Sequence, residues 1–156
     1  NAMIHRSIFE KTKLFDRQFE SMRMGDGEFG ARCISNGLVM INNPYAYCYD
    51  IKAATGGFRE VGSWDGFRPK NFFSPRPIPS VLYYFRSYWG NKRAIFSLLK
   101  TIPLSLSPYS LKSKKIGYII SLSIFLFLFP IVLSQIILSW KKASNMLNQG
   151  AKLDSI

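Results

Sequence analysis

Between Ile116 and Trp140 the chain runs without one charged side chain, and no other stretch limits its folding as much. Coiled as a helix, the run reaches about 37 Å, more than the ~30 Å hydrocarbon core of a bilayer. Burying it in water instead would take roughly half the chain as a wrapper. Gln135 and Pro130 are its least comfortable members, and proline is tolerated in membrane helices. Lys112, Lys114 and Lys115 flank one end and Trp140, Lys141 and Lys142 the other, the pattern of interfacial anchors. The sequence therefore predicts one transmembrane helix with its flanks over residues 112–142 and a short, polar, mobile tail over 143–156.

The formal charge of +12 is unevenly placed. Before Gly66, eight basic and eight acidic side chains cancel; beyond it, thirteen Lys and Arg face a single acid, Asp154. Such an excess asks for an anionic partner, either nucleic acid or lipid head groups. Next to an apolar run, a membrane with anionic lipids is the expected partner and nucleic acid is not. Residues 79–111 agree. Apolar and aromatic side chains recur three and four apart among Arg86, Lys92, Arg93 and Lys100, as in an amphipathic helix lying in the head-group plane. Gly90-Asn91 should break that helix in two. With no cleavable signal peptide opening the sequence, the first half is expected on the cytoplasmic face of an inner (plasma) membrane.

In that first half, Met3 to Arg6 reads as a strand end and Ser7 as the cap of a short helix. A second helix should follow Asp26 and stop at Asn36-Gly37. Leu38 to Ile41 and Tyr45 to Ile51 read as strands, which makes the fold class α/β. Cys33 and Cys48 with the lone His5 cannot build an ordinary zinc site and read as two reduced, buried thiols. Between Ala53 and Pro79, glycines and prolines mark a long loop. Arg59, Trp64 and Asp65 stand in it, where aromatic faces can stack on sugar rings and Arg forks can grip oxygens. An acceptor-binding loop and a plain membrane-proximal linker both fit this stretch.

The segment Met24-Gly25-Asp26-Gly27-Glu28-Phe29-Gly30-Ala31-Arg32 concentrates two carboxylates and three glycines at a helix start. Glycine on both sides of Asp26 leaves room for a large ligand beside the carboxylate. Asp26 is suited to two roles, an N-cap or a base whose anionic form the helix dipole favours.

Leu14-Phe15-Asp16, this segment, Asn36-Gly37 and Asn43-Pro44, taken in order, resemble the C-terminal part of family-two glycosyltransferases. The resemblance covers roughly the first half of the chain. It implies a C-terminal fragment of a GT-A-like nucleotide-sugar transferase domain over residues 1–78, the acceptor side, followed by interfacial helices and the span. Asp26 falls on the family's catalytic base, and Gly25 stands where the family usually has Glu. Glu28 falls on the second acidic position and Arg32 on the helix arginine. Gly25 and Glu28, with Arg59, Trp64 and Asp65, are the expected acceptor-binding residues. Asp50 lies where the family often has a His at the metal-diphosphate site. A carboxylate there suits Mg²⁺ or Mn²⁺, and a surface Asp beside Lys52 is the alternative.

The reaction so implied is inverting transfer of a sugar from a nucleotide-sugar donor to a hydroxyl of a glycan acceptor, in cell-surface polysaccharide or lipid-linked glycan synthesis. The family's paired-Asp motif has no counterpart here. The divalent cation and the donor are thus expected to be held largely by an N-terminal half that this sequence lacks, leaving the isolated chain inactive. A non-catalytic membrane-anchoring or adaptor protein with a basic lipid-binding segment is the alternative.

Overall fold

The computed structural model describes residues 3–41, 43–45, 71–106 and 115–156, and every regular element among them is helical. This overturns the α/β expectation and the GT-A-like fold with it. Met3 to His5 form no strand and lead into α1 (Arg6–Thr12), whose cap is His5 rather than Ser7: the His5 ring accepts from the Ser7 N–H at 3.4 Å. Leu38 to Ile41 carry no strand either, and Val39 and Ile41 stand 82% and 87% exposed. A strand persists only when its N–H and C=O groups find a ladder partner, and among the described residues this run has none. The other expected strand lies, beyond Tyr45, outside the described residues.

The chain divides into two compact units, residues 1–63 with 151–156, and residues 64–150. In the first, α1 is followed by a short 3-10 turn (Arg17–Phe19) and by α2 (Gly25–Ser35). Phe29 on α2 is the centre of the apolar cluster, with the Phe15 ring stacked at 4.6 Å and the Phe9 ring at 5.3 Å. Cys33 is a buried free thiol; Cys48 lies outside the described residues. Gly37, at φ 73°, ends α2 as the sequence predicts, and the Leu38 N–H turns back onto the Cys33 carbonyl at 3.0 Å.

Residues 151–156 belong to this unit rather than hanging free. The Leu14 N–H donates to the Asp154 carbonyl and the Arg17 N–H to the Lys152 carbonyl, both at 3.0 Å. The Lys152 N–H in turn donates to the Asp16 carboxylate at 2.9 Å. The mobile polar tail expected from residue 143 is corrected twice, because the helix preceding these bonds continues to Gln149.

The second unit holds α3 (Pro79–Ser105), α4 (Lys115–Phe127) and α5 (Phe129–Gln149), with α3 packed on both of the others. Gly90, at φ 76°, kinks α3 where Gly90-Asn91 predicts a break. The apolar run is not one helix. It divides at Leu128 into two helices bent by 83°, and among the described residues no single helix is long and apolar enough to cross a membrane. Pro130 supplies the reason: without an N–H, and with a ring that clashes one turn back, it is accommodated in the first turn of α5 but not inside a continuous helix.

This unit buries apolar and polar side chains together, with Val81, Leu82, Leu98, Ile102 and Val132 forming an apolar core. Ser80, Ser105, Ser121, Gln135 and Ser139 are buried, while Leu126 and Phe127 are 66% and 87% exposed. The Arg76 guanidinium, itself buried, donates to the Gln135 side chain at 3.1 Å and to Ser105 at 2.6 Å. Gln135 donates onward to the Phe72 carbonyl at 2.9 Å, and the Ser139 hydroxyl to the Pro77 carbonyl. Polar groups thus sit beside the apolar core, Arg76, Ser105, Gln135 and Ser139 hydrogen-bonded and the Ser80 and Ser121 hydroxyls without a partner, while further large apolar side chains face outward. That arrangement suits lipid better than water.

Candidate functional site

The αL backbone of Met24 (φ 76°) turns the chain into α2. That corrects the capping reading of Asp26: Met24 occupies the cap position with no side-chain hydrogen bond, and Asp26 lies within the first turn. Its carboxylate is exposed and accepts from the Gly27 N–H at 2.8 Å. That bond fixes one oxygen and leaves the other facing solvent. Gly25 lies against Phe19, where a Cβ would come within 3.2 Å of the Phe19 Cβ. The absence of a side chain therefore lets the 3-10 turn close on the start of α2.

Beneath this open carboxylate is a rigid mount. Glu28 and Arg32, 4% and 8% exposed, form a two-pronged pair at 3.0 Å on both prongs. The same guanidinium donates to the Thr12 carbonyl at 2.6 Å and the Leu14 carbonyl at 2.8 Å. One side chain thereby ties α2 to the end of α1 and to the segment after it. Its charge also lies over the Phe29 ring, 5.4 Å from the centroid. Next along the chain, the buried Asp16 caps the 3-10 turn by accepting from the Gln18 N–H at 2.9 Å, and it also holds Lys152. Arg17 pairs with Glu20 and reaches Asp154 at 3.8 Å, so its pKa is raised above the usual arginine value, chiefly by the Glu20 hydrogen bond and charge.

Of the residues singled out from sequence, Gly25, Asp26 and Glu28 are brought together at one helix start. Asp26 is open to solvent. Glu28 is committed to Arg32, so it holds the turn rather than reaching outward. Asp50, Arg59, Trp64 and Asp65 lie outside the described residues. Among the described residues no three of His, Cys, Asp or Glu gather where a metal ion could sit. Glu28 and Asp16 are taken up by Arg32 and by the Gln18 and Lys152 N–H groups. Asp16 and Arg32 are the residues whose organising role the sequence understated. The spacing of Glu28 and Arg32 on one helix face was legible; the reach of Arg32 to Thr12 was not. Compared with known proteins, the chain matches no family model, no curated protein and no solved structure.

Proposed function

We propose that this chain is the acceptor-side, membrane-seated part of a sugar-transferring enzyme at the cytoplasmic face of the plasma membrane, with Asp26 as its general base. The observation that supports this reading is an open carboxylate at a tied-down helix start: the exposed Asp26 sits within a turn of Glu28, whose buried partner Arg32 also bonds the Thr12 and Leu14 carbonyls. A base must be held within hydrogen-bond reach of the proton it takes, and positioning of this kind supplies much of the barrier reduction. In the step proposed, the acceptor hydroxyl gives its proton to Asp26 while its oxygen bonds the anomeric carbon. The nucleoside diphosphate departs with the electron pair of the old bond, and the anomeric centre inverts. The sequence has no Asp-x-Asp pair, so the donor's diphosphate is gripped by protein other than these residues.

The test uses membranes from cells producing the chain together with its neighbouring coding sequence, supplied with labelled nucleotide sugars. Asp26→Asn should lower transfer into extracted glycolipid or polysaccharide by roughly two orders of magnitude or more, with the amount of protein in the membrane unchanged. Transfer within about twofold of the parent would rule out Asp26 as the base. If no nucleotide sugar gives any transfer, the enzymatic reading falls. The exposed large apolar side chains of the second unit favour what then remains, a membrane-anchoring or adaptor protein.

A further inference from the structure

We infer that residues 64–150 dock into one leaflet of an anionic membrane and return to the face they entered from, so that the chain is seated in the bilayer without crossing it. This inference is independent of the enzymatic reading.

Hydrogen bonding supplies the first argument. Residues 14–17 precede the apolar run and residues 152–154 follow it, yet they share two backbone bonds and the Asp16–Lys152 bond within one compact unit. Segments bonded to each other lie on the same side of a membrane, so the run between them crosses an even number of times. Length and charge then select zero. The 13 residues of α4 make about 20 Å and the apolar opening of α5, Phe129 to Trp140, about 18 Å, each short of the ~30 Å core. At 83° to one another they do not add end to end. α3 offers no second crossing, because Arg86, Lys92, Arg93 and Lys100 interrupt it and Gly90 kinks it.

Lipid is the occupant that the outward face fits. Phe96, Leu99, Leu122, Leu126, Phe127 and Leu133 are exposed together in a unit that buries serines and a glutamine. Between its helices opens an apolar groove of about 550 Å³, lined by Ile95, Leu99, Ile102, Phe125, Phe129 and Ile137 among others, with Lys141 at its edge. Tyr84, Phe85, Tyr88 and Trp89 form one ring cluster beside the bases of α3, the composition that settles at the head-group level. Arg86 lies 4.2 Å from the centroid of the Trp140 ring and donates to Ser144 at 2.8 Å, which fastens that aromatic level to α5. Between Gly66 and Gly150 the sequence contains no acidic residue, so nothing there repels an anionic surface.

The experiment reads sidedness. In the full chain with Cys33→Ala and Cys48→Ala, single cysteines are introduced as Ser7→Cys or Ser155→Cys, both at exposed positions. Sealed right-side-out and inside-out membrane vesicles from producing cells are treated with a membrane-impermeant maleimide. Both positions should label from the same side and be silent from the other. Labelling of position 155 from the side opposite position 7 would overturn the inference, as would recovery of the chain in the soluble fraction without detergent. Because Cys33 is buried, the unsubstituted protein gives an independent reading: trypsin added to one vesicle type should cut after both Arg17 and Lys152, whereas cutting at only one of them from each side would sink the proposal.

Discussion

Arg32 ties together several parts of the first unit. It neutralises Glu28, spans two carbonyls 18 and 20 positions away and covers the Phe29 ring. Removing one partner of a buried pair strands the other's charge, at a cost of about 3–5 kcal/mol. Arg32→Met should therefore melt this unit, read as loss of hydrogen-exchange protection along α2 at unchanged protection in α3 and α5. The double variant Glu28→Met with Arg32→Met should recover much of the loss, since no charge is left unpaired. At this scale the sequence was half legible. The glycines around Asp26 announced a tight entry to α2. The partners at Thr12, Leu14 and Lys152 depend on how the chain closes, which no local pattern records. Asp16 could be noticed as part of a motif, but its bond to the Lys152 N–H could not.

Among the elements, the apolar run is the one whose composition misleads. Hydropathy sums over a window without regard to direction, so 116–140 reads as one rod, yet one imino acid near its middle divides it. Pro130→Leu restores both the missing N–H and the space one turn back. It should merge α4 and α5 into a helix of some 37 Å, enough for a span. In the labelling assay, position 155 should then become reactive from the opposite face, or the bonds to residues 14–17 should hold and keep the bend; an unchanged pattern together with a straight helix by distance measurements between spin labels at Ser123 and Ser134 would refute this account of the hinge. The kink of α3 was legible because glycine beside asparagine is a local signal, whereas the strands expected at Met3 to Arg6 and Leu38 to Ile41 failed for a non-local reason. β-propensity states that a segment suits a pleated sheet; it cannot supply the neighbour that the sheet requires.

For the molecule as a whole, charge segregation was the most dependable thing the sequence offered. The excess of the second half falls almost wholly in one compact unit, residues 64–150, where twelve basic residues face the single acid Asp65. What the sequence could not show is which large apolar side chains of the second unit are buried, such as Leu82 and Ile102, and which stay exposed, such as Phe96 and Phe127, since periodicity gives a face but not what it meets. Lys141 and Lys142 are both exposed at the end of the apolar part of α5. Each basic residue near an anionic surface contributes about 1 kcal/mol. The variant Lys141→Gln with Lys142→Gln should thus bind phosphatidylglycerol vesicles roughly thirtyfold more weakly, with little change on phosphatidylcholine, as measured by co-sedimentation. Equal weakening on both lipids would show that the lysines act through packing alone.

The bond from the Lys152 N–H to the Asp16 carboxylate also sets a timetable. On the ribosome, Asp16 is made early and Lys152 only after the whole of the second unit has been made. The first unit must therefore wait, partly assembled, with its buried carboxylate lacking one donor, until Lys152 has been made. Completion of the unit that carries Asp26 is in this way left to the end of synthesis, because the chain must first make the 87 residues of the other unit.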